Sequence, residues 1–579
     1  MRPICGVYLK YRHNASGNMV SMSDWQGNTT QFTYDPDGNL TQVNYPGSSG
    51  MTESLTYDNA DQFQMSVLSS TAGSLAGNFI TDSWPTNSDG LYYSNSASLN
   101  GSVVLAQSSF SYNSDTQMTQ GLGYSYSYNS AGDITSSGSP GSPSSSSTTT
   151  NYSYDAGGEL CSSSTTAVSP ASPSCENPSD YPSNTFSTYS YNQDGERICS
   201  TPKNSSGATC ADPNPAITTT YGWNQEGELS SVATPGGNFS YTYNPQGLRQ
   251  QESSPLGIEY FNWNTQSSTP QLITDGQNAY IYGPQGTPLG NAPIEQIPLA
   301  DSSTPGSSTY LFSDPEGVRL TFNSIGTITA GASYDAYGNV IAGGLSSVTP
   351  FGYAGGYTDP TGLIYFVNRY YDPSTGQFLS VDPLVGITDQ PYEYVGGDPV
   401  NGSDPSGLTT HAFCVSLQGV FQPVGVGGAA IFVEGCLGEA EHGQIGTFVT
   451  YGAGPSIGPG HSASANIVEE VTNASSLKQL GGWFNWANVG GGGDGIGATA
   501  GSFWGCSGRK KITGGTFGVG LSMSGVSFQG GKSNTVDVHI YGGAAAVALK
   551  TLYYSLYFSS PGLTISASVI QKITQLFVG

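Results

Sequence analysis

One phrase recurs along the first 340 residues, and it limits what the chain can become. It reads YDPDGNL at Tyr34, YNSAGDI at Tyr128, YDAGGEL at Tyr154, YNQDGER at Tyr191, WNQEGEL at Trp223, YNPQGLR at Tyr243 and YDAYGNV at Tyr334. The order is aromatic, Asp or Asn, two free positions, Gly, often a polar residue, then often an apolar one. The aromatic residue closes a strand on the packed face. Asp or Asn opens a turn through its side chain, and Gly three residues later takes a positive φ that disfavours a Cβ. Short runs of period two follow, such as Glu228 to Val232. The unit is a β-hairpin. Trp223, Tyr243 and Trp263 stand at steps of 20 residues, so each unit is expected to stack on its neighbours.

Composition agrees with a mostly β chain. Gly is 80 of 579 residues, Tyr is 37, and 10% are charged, so the residues that favour long helices are scarce. The net charge of −26 lies wholly in residues 1–408, because residues 409–579 hold seven acidic and seven basic side chains. An acidic first part argues against nucleic acid or an anionic membrane as partner for residues 1–408. Cys161, Cys175, Cys199 and Cys210 cluster without a CxxC pair, which argues against zinc. Two local disulfides fit an exported chain; free loop cysteines fit equally well. MRPICGVYLKYRHN has no apolar run of a signal peptide and enters repeat sequence at once, so a fragment of a longer protein or another export route is expected. Asp35-Pro36-Asp37-Gly38-Asn39 suggests a calcium loop, but Pro46 stands where an EF-hand needs its twelfth-position carboxylate, so a turn is expected and no metal or other cofactor is assigned. The Ser/Thr/Pro-rich stretches Ser136–Thr150 and Ser162–Ser187 read as loops leaving the repeat frame.

The phrase resembles the YD repeat of the RHS (rearrangement hot spot) and Tc toxin C-component families. From Gly362-Leu363-Ile364-Tyr365 through Asn368-Arg369-Tyr370-Tyr371-Asp372-Pro373 to Gly376-Gln377-Phe378-Leu379-Ser380-Val381-Asp382-Pro383, the sequence is similar to the RHS-associated core. The resemblance covers roughly residues 10–408. It implies a spiral β-sheet shell over 1–340, here a partial cocoon completed by sequence before this chain or by a partner chain. It also implies a core plug over 341–408 and a variable domain over 409–579 that the shell encloses, of polymorphic-toxin type, with an immunity protein as a further partner.

The resemblance also assigns a site. The family's autoprotease motif pairs two DPxG segments across eighteen residues. Asp382 and Asp404 stand at that spacing, Pro383, Pro405 and Gly407 match, and cleavage is implied between Leu408 and Thr409. Val385 replaces the first motif's Gly, and Gln377 stands where relatives carry Arg. Two neighbouring carboxyls share a proton; one accepts a proton from water while the other donates to the scissile carbonyl. That is an aspartic-type protease acting once, in cis. Asp398, where relatives usually carry Asn, and Arg369 are supporting candidates, although a strand-surface role suits Arg369 as well. Asp-Pro is also an ordinary turn opener, so capping alone is the bland alternative.

Beyond Leu408 the phrase disappears. Gly-spaced apolar runs with period two suggest an antiparallel sheet or small barrel, or an α+β domain if the last stretch is helical. His411, His442, His461 and His539 form no recognisable metal or catalytic pattern, and Arg509-Lys510-Lys511 is a single basic cluster. The competing function for the whole chain is a secreted or cell-surface adhesin whose YD strands bind glycans and whose tail is inert.

Overall fold

In the computed structural model, backbone is described over residues 9–541 except for short segments. The main ones are 140–147, 166–185, 202–207, 301–307, the seam positions 383–384, 386–389, 405 and 408–409, and the loops joining strands beyond 410. Side chains are described almost wholly within 9–407. The chain divides into two compact units. The first comprises Met1–Asn113, Gln117–Asp382 and Pro391–Gly407; the second comprises Ser114–Thr116, Pro383–Gln390 and Leu408–Gly579.

The first unit is a succession of antiparallel sheets in which every strand pairs with the next in sequence. A nine-stranded sheet runs from Lys10–His13 to Ser102–Ser109, a thirteen-stranded sheet from Ser111–Tyr112 to Gly257–Tyr260, and an eight-stranded sheet from Asn262–Asn264 to Val340–Gly344. The repeated phrase sets this order. In YDPDGNL the Asp35 carboxylate accepts the Asn39 N–H at 2.8 Å, Gly38 takes φ 93°, and the register shifts by a bulge between Thr33 and Tyr34. The same bulge precedes Tyr57, Tyr128, Tyr154, Tyr191, Trp223, Tyr243 and Tyr334. The Asp35 carboxylate serves the turn and also accepts the Asn39 amide at 3.0 Å.

Phe322 opens one phrase, FNSIGTI, with the same bulge and a positive-φ Gly326, but the structure gives the Tyr and Trp of the other phrases a further role. Each carries a donor at its tip, and that donor reaches the carbonyl that closes the preceding phrase. Tyr57 Oη donates to Leu40 O at 2.9 Å, Tyr154 to Ile134 O at 2.8 Å, and Tyr243 to Leu229 O at 2.6 Å. Trp223 Nε1 donates to Arg197 O at 2.8 Å and Trp263 Nε1 to Arg249 O at 2.7 Å. One phrase is thus tied to the next by an aromatic with an apolar body and a polar tip.

The Ser/Thr-rich stretches are only partly loops, which corrects the sequence reading. Ser136–Ser139 and Thr148–Thr150 extend the paired strands Ile134–Ser139 and Thr148–Tyr154, and Ser162–Ser164 ends the strand Leu160–Ser164. Their hydroxyls bond across the ladder, as Ser139 Oγ does to Thr148 Oγ1 at 2.7 Å. Cys199 and Cys210 are disulfide-bonded, and Cys161 is too, with its partner outside the described residues.

The core segment folds inside the same unit as a four-stranded sheet, Tyr357–Thr358, Ile364–Phe366, Arg369–Asp372 and Gln377–Phe378. Its Phe366, Tyr371, Phe378 and Tyr394 share a core with Tyr241, Phe261 and Tyr334 of the repeat strands. Two buried ion pairs pin it there: Arg197 to Asp372 at 2.8 Å and Arg249 to Asp359 at 2.7 Å. Both arginines follow a turn glycine of the repeat. Phe261, Tyr365 and Tyr357 surround the Arg249 guanidinium at 4.2 to 4.9 Å from their ring centres.

In the second unit the described strands close into a barrel of long antiparallel strands. The ring order is Thr410–Phe421, Gly428–Ala440, Gln444–Ile457, Ser527–Tyr541, Gly482–Gly492, Gly497–Ser507, Lys510–Ser522 and Ser462–Thr472, which returns to the first. Cys414 and Cys436 are register partners on the first two strands of the ring. Residues 542–579 lie outside the described residues, and so does the expectation of a helix there.

Candidate functional site

Asp382 and Asp404 meet at one arginine. Arg369 opens the strand Arg369–Asp372, and its Nη2 lies 2.9 Å from Asp382 Oδ2 and 3.5 Å from Asp404 Oδ2. All three groups are buried, with side-chain exposures of 3% for Arg369, 2% for Asp382 and 7% for Asp404. Arg369 is therefore not the strand-surface residue that its place in the sequence suggested. All four residues of its strand are buried, and its guanidinium carbon stands 3.6 Å from the centre of the Phe378 ring.

The third contact of Arg369 reaches the seam. Its Nε donates to Gly407 O at 2.6 Å, so one planar guanidinium holds both carboxylates and the backbone next to Leu408. Backbone bonds set the approach of each aspartate. Asp382 N–H donates to Pro391 O at 2.7 Å, and Asp404 N–H faces Tyr394 Oη at 3.5 Å. Ser406 Oγ donates to Asp404 Oδ1 at 3.0 Å, and Gly407 N–H closes the turn onto Asp404 O at 3.2 Å. Gly407 takes φ 70°, and a Cβ there would stand 2.8 Å from Phe366 O.

Asp398 lies elsewhere. It is buried and accepts the Asn401 amide at 2.8 Å, and Asn401 in turn donates to Tyr112 Oη at 2.7 Å. That is a turn fixed to the repeat strands. Gln377 is buried opposite Asp372, and its amide makes no hydrogen bond among the described residues. Val385 is half-buried. Pro383, Pro405, Leu408 and Thr409 lie outside the described residues. The sequence reading missed Phe378, Tyr394 and Ser406. A signal existed for Ser406, two residues after an aspartate that opens a turn; the aromatic contacts needed the fold. Among the described residues no cluster of His, Cys, Asp and Glu could hold a metal ion.

Comparison with known proteins agrees with the strand pattern. Residues 13–49 match the RHS Repeat family and residues 296–393 match the Teneurin YD-shell family. The matched segments are RHS/YD repeats. These repeats relate the chain to the tRNA nuclease WapA of Bacillus subtilis (strain 168), 28% identical over 204 residues, which is 32% of this chain and 8% of that protein. Toxin subunit YenC1 of Yersinia entomophaga is 28% identical over 229 residues, 34% of this chain and 22% of that subunit. Double-stranded DNA deaminase toxin A of Burkholderia cenocepacia (strain H111) is 29% identical over 165 residues, 26% of this chain and 11% of that toxin. The chain thus spans less than a quarter of the length of these relatives. A crystal structure of TcdB2-TccC3 aligns with 69% of this chain and 22% of its own at TM-score 0.38 and 18% identity.

Proposed function

We propose that this protein is an encapsulating RHS/YD-repeat shell of polymorphic-toxin type that cleaves itself after Leu408 and frees residues 409–579 as a separate effector. The observation that carries the reading is Arg369 bonding Asp382, Asp404 and the Gly407 carbonyl at once. The bond implied for cleavage, after Leu408, follows one residue beyond the carbonyl that Arg369 holds. The relatives named as toxins and nucleases support the class.

The chemistry is one hydrolysis. With one proton shared between Asp382 and Asp404, the ionised carboxylate takes a proton from water. The water oxygen bonds to the Leu408 carbonyl carbon while the protonated carboxyl donates to its oxygen. Collapse breaks the C–N bond, and the Thr409 nitrogen leaves with a proton as a free amine. Either carboxyl can take either role. Arg369 supplies one cation to two acids, keeps them adjacent and fixes the substrate backbone beside them. The Cys199–Cys210 disulfide supports export to an oxidising compartment, outside the cell or at its surface. The test is a denaturing gel with intact-mass analysis of wild type beside Asp404→Asn. Wild type should give a fragment beginning at Thr409 and the variant a single full-length chain; an uncut wild type removes the protease.

A further inference from the structure

The hairpin formed by Ile364–Phe366 and Arg369–Asp372 turns through Val367 and Asn368, because Phe366 pairs directly with Arg369. Val367 is buried and sits at φ 52°. A β-branched residue in the left-handed region is strained, and such strain persists where surrounding contacts hold it. The turn places donors. Asn368 Nδ2 donates to Ser406 O at 2.8 Å, and the Asn368 N–H reaches the same oxygen at 3.2 Å while also meeting Phe366 O. Arg369 Nε takes the next carbonyl, Gly407 O, at 2.6 Å. Two adjacent residues therefore grip two successive carbonyls of the segment that leads to the seam. Gly407 completes the fit, since a Cβ there would stand 3.1 Å from Arg369 N as well as against Phe366 O.

We propose that this hairpin tip is a main-chain clamp for the peptide to be cut, and that Asn368 is a positioning residue for the cleavage. The inference rests on the self-cleavage reading above. Ser406 and Gly407 are the third and second residues before the bond, counting Leu408 as the first. Fixing their carbonyls sets the course of the chain up to the residue before the bond. Main-chain bonds of this kind orient a peptide whatever its side chains are. Asn368 is itself exposed and touches neither aspartate in any hydrogen bond described, so its effect on rate acts through Ser406.

The test follows the cut in the full chain made by cell-free synthesis, with timed quenching and intact-mass readout of the fragment beginning at Thr409. Asn368→Ala should slow cleavage roughly 3- to 10-fold, the range of one hydrogen bond's net worth. Asn368→Asp keeps the size and tolerates the turn but loses the Nδ2 donor. It should be slow at neutral pH, and its ratio to wild type should rise towards one as the pH falls towards about 4, where a protonated carboxyl can donate to Ser406 O again. Melting of Asn368→Ala in the uncut Asp404→Asn background guards against a folding defect and should match Asp404→Asn alone. Wild-type rates in both Asn368 variants overturn the clamp and leave the protease standing. A slow Asn368→Ala that also melts markedly lower, with no pH recovery in Asn368→Asp, overturns it as merely structural. A wild-type chain that never cuts removes the protease and the clamp together.

Discussion

Replacing Arg369 by Met tests whether the two seam aspartates form one buried electrostatic unit. Met fills similar space over Phe378 but leaves Asp382 and Asp404 without the cation that bonds both. Breaking a buried ion pair by removing one partner costs about 3–5 kcal/mol, because the remaining charge is stranded. The same substitution beside Asp382→Asn and Asp404→Asn should cost far less, since neutral amides need no counter-ion, although the bond to Gly407 O is lost in both backgrounds and removes about 1 kcal/mol. The coupling between Arg369 and the acids should therefore be about 2–4 kcal/mol. Urea titrations of the four chains at pH 7, followed by tryptophan fluorescence, measure it. A coupling below about 0.5 kcal/mol, the additivity error for independent sites, would falsify the claim that one guanidinium holds both carboxylates.

Three further outcomes follow from the same coordinates. Tyr57→Phe removes the bond to Leu40 O and should lower stability by about 1 kcal/mol in a denaturant titration; an unchanged midpoint would mean that the tip hydroxyls do not tie the phrases together. Gly407→Ala meets Phe366 O and an unfavourable φ, so cleavage should stop or slow at least tenfold on a gel, while Gly236→Ala, at an exposed position where a Cβ meets nothing nearer than 3.5 Å, is cut. Burial raises the Glu53 carboxyl to about 7, although the Tyr45 hydroxyl bonded to it at 2.8 Å pulls the other way. A carboxyl raised on folding contributes stability that is full below its unfolded value and is lost as pH rises through about 7, so wild type should lose stability from about pH 4.5 to about 7. Glu53→Gln should flatten that loss; an identical melting profile across this range would refute it.

Much of the first unit was legible because its phrase is local chemistry. Asp35, Gly38 and Tyr34 announce a turn, a positive φ and a strand end, and each occurs where the sequence placed it; the bulge before Tyr34 was not foreseen. The role of the Tyr and Trp tips was not legible, since Tyr57 and Leu40 are joined only once consecutive hairpins stack. The family resemblance brought Asp382 and Asp404 forward, yet Arg369 looked ordinary because strand alternation alone does not reveal which face is covered. Phe378 beneath it and the Gly407 carbonyl beside it depend on the fold of the whole core segment. The Ser/Thr-rich strands were misread because hydroxyl side chains pair across a ladder as readily as they line a loop. The barrel's period-two runs gave its strands, but their ring order follows from pairings distant in sequence.

The central claim is tested most directly by the intact masses of wild type, Asp382→Asn and Asp404→Asn purified side by side. The account predicts two chains from wild type, the shorter starting at Thr409, and one full-length chain from each variant. A single full-length mass for all three, or a wild-type cut that persists in both variants, contradicts it.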